Sequence, residues 1–215
     1  MDLFGLLPVT ARGNSNILVL IDHFTRWAEP IAMKETKATD IANVLQEVWM
    51  PKHGCPLTLL SDNGPQFVNE ILLNFCNAVG IRKIYSTTYY PQRISVVKSY
   101  MRSLKKSLAA LVREEKKYWD LLLPAVAFGY NTTPHTAIGH SPFFLVHGRE
   151  AVLPVQRHLD EPKLKNESEK WLHRLWHARM EVYESHMEHE QKCGRYFERF
   201  KSFLANWYDG VCKIK

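Results

Sequence analysis

The chain has 215 residues, 46% hydrophobic and 23% charged, which is enough for one domain with a sizeable core plus an appendage. Glycine and proline are too few for a collagen-like or linker-dominated chain, and no run of eighteen apolar residues marks a membrane-spanning helix. The net charge of +6 is unevenly spread: eight basic residues fall within residues 71–113, a segment without a single Asp or Glu. Such a local field suits a polyanion, nucleic acid above all, although a solvated helix face has the same composition. Along the chain, residues 16–22 (NILVLID) form a continuous apolar run and predict a buried strand. Residues 28–33 are a second strand candidate. Residues 39–50 carry Ile41, Val44, Leu45, Val48 and Trp49 at helical spacing, with Thr36 or Thr39 as cap and Pro51 and Gly54 as terminators. Residues 57–60 are a short strand running into the turn Ser61-Asp62-Asn63-Gly64-Pro65. Residues 67–79 predict a helix closed by Gly80, 81–85 a fifth strand candidate, and 87–93 a loop. Helices follow over 95–115 and 119–130, then loop and a short helix over 134–154, then one long charged helix over 169–203. The order β-β-α-β-α-β-α-α argues for an α/β layer fold with a mixed sheet and helices on both faces.

The N-terminus has an acid at position 2 and no basic leader, so it does not read as a secretory signal. Four cysteines without a CxxC pair then fit a reducing, intracellular setting. The tripeptides at Asn131 and Asn166 match the glycosylation pattern but carry little weight without secretion.

Asp62 directly follows a strand, and Asp2 lies in the first apolar stretch. Carboxylates projecting from strand ends sit where ligands gather in open α/β folds. A pair of them suits Mg²⁺, and shared carboxylates are how two-metal sites clamp the oxygens of a transferred phosphoryl group. The plainer alternative for Asp62 is an Asx turn ahead of Asn63-Gly64.

Several blocks point further. MDLFG at 1–5, ILVLIDHFTRW at 17–27, LSDNGPQF at 60–67, YYPQ at 89–92, YNTTPH at 130–135 and SPFFLVHGRE at 141–150 occur in order. Together they resemble the integrase catalytic core of gypsy-type long-terminal-repeat retrotransposons, within the retroviral integrase superfamily. The resemblance covers about residues 1–155 and, more weakly, the helical tail. It implies a ribonuclease-H-like mixed five-stranded sheet flanked by helices over 1–160, followed by a long-helix extension over 161–215, with the polar stretch 163–169 as boundary.

The resemblance also implies a D,D-x35-E triad using Mg²⁺ or Mn²⁺ for DNA integration. It maps the first two acids, as catalytic residues and metal ligands, onto Asp2 and Asp62. Thirty-five intervening residues lead from Asp62 to Lys98, where the family places glutamate. No acid lies between Glu70 and Glu114 to replace it. A unit charge at 4 Å is worth about 4 kcal/mol at an effective dielectric near 20, and Glu to Lys is a change of two charges. The expectation is an inactive, degenerate site in which Lys98 pairs with Asp62 or Asp2. DNA binding is then expected through Arg82, Lys83, Tyr89, Tyr90, Arg93, Arg102, Lys105 and Lys106, which combine phosphate contacts with stacking.

Two alternatives stand beside this reading. One is a weak Mg²⁺-dependent endonuclease using Asp2 and Asp62. The other is a non-enzymatic protein that dimerises or associates with intact integrase. The resemblance further implies a nuclear protein with no membrane association. It implies that the family's zinc module is absent ahead of Asp2, that the first strand is clipped, and that 203–215 stops before a C-terminal barrel. An element fragment, a decayed reading frame and a host-adopted one are all consistent with this. On the long helix, His173/His177 and His186/His189/Cys193 each share a face with zinc-ligand chemistry, though acids interleave them as on a solvated face. Leu172, Leu175, Trp176, Met180 and Tyr183 form a stripe that reads as a packing seam.

Overall fold

The computed structural model describes residues 1–86, 92–112, 116–152 and 168–191. The chain divides into two compact units, Met1–Thr133 and Pro134–Lys215. In the first, strands β1 (Asp2–Phe4), β2 (Asn16–Ile21) and β3 (Ala28–Met33) pair antiparallel in that order. Strands β4 (Thr58–Ser61) and β5 (Arg82–Tyr85) form a parallel pair. Where a single five-stranded sheet is expected, the described strands therefore group as three and two. β1 is only three residues long and pairs with β2 from Asp2↔Val19 to Phe4↔Ile17. Across to β4, the Met1 amine donates to the Leu60 carbonyl at 2.7 Å.

The period of two along β2 builds both halves of the core. Leu18 and Leu20 face one cluster with Ile41, Leu45, Phe67, Leu72 and Cys76. Ile17 and Val19 face the other, with Val97, Tyr100, Leu104, Trp119 and Leu123. This is why NILVLI is apolar at nearly every position, and it places helices on both faces, as expected.

The first helical run comprises α1 (Ala38–Val44), a π-helical turn (Leu45–Trp49) and α2 (Met50–His53). Neither Thr36 nor Thr39 caps it: Lys37 occupies the cap without a side-chain bond. Pro51 does not end the run. It sits in the first turn of α2, where a missing N–H is tolerated, and Gly54 at φ +80° terminates it instead. α3 (Glu70–Ala78) starts later than expected, because Asn69 caps it by accepting from the Ile71 amide at 2.9 Å. α4 (Gln92–Leu111) buries Val97, Tyr100, Leu104 and Leu108. Burying one such leucine contributes about 1.5–3 kcal/mol. After a 3₁₀ turn (Lys116–Tyr118), α5 (Trp119–Thr132) carries Pro124 within its first two turns.

In the second unit, α6 (Pro142–His147) explains the SPFFLVHG block. Ser141 caps it by accepting from the Phe144 amide at 3.0 Å, Pro142 opens it, and Gly148 closes it in the left-handed region. Helix α7 (Ser168–Gln191) buries Leu175, Ala178, Val182 and Tyr183, a seam shifted by part of a turn from the expected stripe. Arg179 donates from Nε and Nη2 to the Leu145 carbonyl at 3.0 and 2.7 Å. Of the boundary expected at 163–169, residues 163–167 lie outside the described residues and 168–169 open α7; the helix expected to continue over 192–203 and the 203–215 segment also lie outside the described residues.

Candidate active site

Asp2 opens β1 and Asp62 follows β4, and the Met1–Leu60 bond holds these strand ends side by side. Both carboxylates are half-buried. Asp62 Oδ1 accepts the Gly64 amide at 3.0 Å, so the Asx turn is formed. The turn and a ligand role coexist, because that bond uses one oxygen of the pair. Beyond the turn, the Phe67 and Val68 amides return to the Gly64 carbonyl, and fully buried Phe67 anchors the block. Asp2 Oδ1 accepts the Leu3 amide at 2.8 Å.

The two acids share one electrostatic field. Burial raises the Asp2 carboxyl above the ordinary carboxylate range. The Leu3 amide opposes this, Asp62 adds to it, and the Met1 amine and Lys98 pull it down. Lys98 thus stands close enough to bias Asp2. It is exposed on α4, however, and among the described residues it makes no direct ion pair with Asp2 or Asp62. The expected ion pair is corrected accordingly: Lys98 turns its long stem to water, where an ammonium keeps its hydration shell.

Two amino groups sit deeper: that of Lys83, which was expected among the DNA contacts, and the Met1 amine, which the sequence did not single out. The Met1 amine is buried, which lowers it to about 5. Lys83 projects from β5 and donates to the Ser61 hydroxyl, with its ammonium 4.4 Å from the Tyr85 ring centre. Burial lowers it to about 8, while Cys76 and Asp62 act to raise it. Alternation along β5 predicts that Arg82 and Lys83 face opposite ways, and this was the available signal. Arg82 is exposed, whereas Lys83 faces the site.

A divalent cation is poorly served here. Asp2 is biased toward its neutral form, Lys98 acts on it, and the Lys83 ammonium interacts with Asp62. Among the described residues no cluster of three or more His, Cys, Asp or Glu could hold a metal ion. The residues present do not fit a two-metal centre.

Of the other expected DNA contacts, Arg102, Lys105 and Lys106 are exposed on α4. Lys98, Arg102 and Lys105 lie at i, i+4 and i+7 and so form one basic stripe flanking the buried face. Tyr89 and Tyr90, and the side chain of Arg93, lie outside the described residues. So do the side chain of His189 and all of Cys193. His173 and His177 are exposed, with ring centres 6.4 Å apart.

Two other motifs are structural. In DHFTRW, Asp22 Oδ2 accepts the Thr25 amide and hydroxyl at 2.8 and 2.6 Å, closing the β2–β3 turn with Arg26 at φ +63°. In YNTTPH, buried Asn131 pairs with β3: its Oδ1 accepts the Ala28 amide and its Nδ2 donates to the Ala28 carbonyl, both at 2.9 Å.

The strands and the helices packed on them define an α/β scaffold, and comparison with known proteins agrees. Residues 1–91 match a family model described as an integrase core domain. The chain is 29% identical over 154 residues to the retrovirus-related Pol polyprotein from transposon 412 of Drosophila melanogaster, covering 72% of this chain and 12% of that one. It is 36% identical over 137 residues to the Gag-Pol polyprotein of feline leukemia virus, covering 63% and 8%. It thus spans about a tenth of these curated relatives. A chain of the simian T-cell lymphotropic virus intasome, solved with the PP2A regulatory subunit B56 gamma, shares the fold at a TM-score of 0.55 and 19% identity, over 75% of this chain and 60% of that one. Among the described residues no helix is long and apolar enough to cross a membrane.

Proposed function

We propose that this chain is a gypsy-type integrase core that binds DNA and no longer transfers phosphoryl groups. The observation that carries the reading is the cationic setting of Asp2 and Asp62. Lys98 acts on Asp2 and Lys83 interacts with Asp62, where a metal-binding triad needs a third negative charge. DNA affinity rests on the α4 stripe of Lys98, Arg102 and Lys105, with Lys106 and Arg82 beside it, in a segment without acids. In this reading residues 1–160 are the core, 161–215 a helical tail, and the setting nuclear.

The test is duplex affinity against salt. Each phosphate neutralised contributes a slope of about −0.9 in log K against log salt. Arg102→Glu with Lys105→Glu should flatten the slope by about 2 and leave the thermal midpoint within about 2 °C of the parent. A parent without measurable salt-dependent affinity refutes DNA binding and favours the protein-association reading, which concentration-dependent mass would then support. The closeness of Asp2 and Asp62 favours one other reading, a weak two-carboxylate nuclease, which metal-dependent nicking abolished by Asp62→Ala would establish.

A further inference from the structure

Helix α7 turns its buried seam of Leu175, Ala178 and Val182 one way, and His173 and His177 fall on the opposite, exposed side. Residues four apart on a helix are neighbours on one face, so the two imidazoles stand one turn apart. Their rings are nearly parallel, at 28°, with centres 6.4 Å apart. The next turn of this face carries Glu181, also exposed. Its carboxylate meets His140 at 3.1 Å and adds negative charge one turn away. Arg174, beside His173 in sequence, leans toward α6, with its guanidinium 6.0 Å from the Phe144 ring centre.

The chemistry of such a pair is narrow. Imidazole nitrogen suits zinc, nickel and copper, whereas Mg²⁺ and Ca²⁺ take oxygen donors. A metal–nitrogen bond is about 2.0–2.1 Å, so two imidazoles on one tetrahedral ion have ring centres about 5 Å apart. The rings of His173 and His177 therefore close by roughly 1 Å, which χ rotation at two exposed side chains supplies. Once one imidazole holds the ion, the helix keeps the second at high effective concentration. Water fills the remaining positions, as it does in open zinc sites.

We propose that His173 and His177 form a two-histidine site on α7 for a late divalent transition metal: copper, nickel or zinc. The ion ties one turn of the helix to the next and stabilises the folded form by mass action. Affinity is highest for Cu²⁺, with Ni²⁺ and Zn²⁺ below it. This inference is independent of the DNA-binding reading, because it uses neither the α4 stripe nor the acids.

The probe is Ni²⁺ added to the full chain, followed by calorimetry and by the thermal midpoint. His173→Gln and His177→Gln change exposed positions and leave the buried seam intact. Each should weaken Ni²⁺ binding by about tenfold, because the chelating partner is lost. Each should also remove the rise in midpoint that the ion gives the parent. Cu²⁺ should bind the parent more tightly than Ni²⁺, and His177→Gln should leave the response to Mg²⁺ unaltered. Trp176 stands edge-on to His177 with ring centres 4.9 Å apart, so Cu²⁺ should quench part of the tryptophan fluorescence and His177→Gln should abolish that part. In urea beyond the unfolding transition, parent and variants should bind Ni²⁺ alike, because the pairing needs the helix. The proposal is overturned by a parent that takes up no Ni²⁺ at millimolar concentration. It is equally overturned if the double variant binds as the parent does, which places the ion at other histidines, or if the difference between parent and variants persists in urea.

Discussion

Asn131→Ala should be among the most destabilising single changes in the first unit. The Asn131 amide is 3% exposed and makes two 2.9 Å bonds with Ala28, itself fully buried on β3. Alanine removes both partners at once and leaves a buried N–H and a buried C=O unpaired. Each orphaned group costs about 1–3 kcal/mol, so the sum is about 2–6 kcal/mol, with a small cavity added. For a chain of this size 1 kcal/mol moves the midpoint by about 2–4 °C, which gives a loss of roughly 4–24 °C. Urea denaturation followed by fluorescence and circular dichroism measures the free energy directly. Asn131→Asp keeps the acceptor for the Ala28 amide but faces a carbonyl with a carboxylate, and should be at least as damaging. A loss below about 0.5 kcal/mol for the alanine variant would refute the reasoning. It would mean that the backbone relaxes to water and that the asparagine of YNTTPH has another role.

The remaining predictions concern pH and the loop beside α5. The Met1 amine is held near 5 in the fold against an ordinary 8.0, so between these values the unfolded chain binds the extra proton and stability rises with pH. Lys83, near 8 against an ordinary 10.5, extends the rise to higher pH, while the raised Asp2 carboxyl has the opposite sign at the acid end. The thermal midpoint should therefore climb from pH 6 to pH 8 and lose that climb when the α-amine is acetylated; a flat profile in the unmodified chain would contradict this. Asp120→Ala should destabilise by about 2–4 kcal/mol in urea, because the buried carboxylate accepts from Thr10 Oγ1 at 3.1 Å and Asn14 Nδ2 at 2.8 Å. A change within experimental error would show that those bonds are replaced by water.

Much of this architecture was legible because it rests on local patterns. The unbroken apolar run of β2 announced a strand buried on both faces, and the spacing of Val97, Leu104 and Leu108 announced the inner face of α4. Gly80 marked a helix end because it adopts positive φ. The helix starts were less legible. Asn69 took the cap of α3 two residues after the apolar pattern began, since a side-chain acceptor outweighs periodicity at a first turn. The site was legible in its acids and not in its cations. Asp2 and Asp62 announce themselves as acids at strand ends, whereas the inward turn of Lys83 depends on the β4–β5 register that pairs Leu59 with it. The burial of the Met1 amine depends on a contact 59 residues away in sequence. Long-range contacts of that kind leave no local mark, and they decide the electrostatics here. The ion pair expected for Lys98 failed for the same reason: spacing from Asp62 fixed its place on α4, while its solvent exposure follows from how the helix packs.

The charge at position 98 is the central claim, and one measurement tests it most directly. A labelled duplex is incubated with the parent chain and with Lys98→Glu, in Mg²⁺ or Mn²⁺, and nicking and strand transfer are read on a denaturing gel. The account predicts an inert parent and a Lys98→Glu variant with metal-dependent activity that Asp62→Ala removes. A parent that cleaves DNA, with cleavage lost on Asp62→Ala, would contradict it.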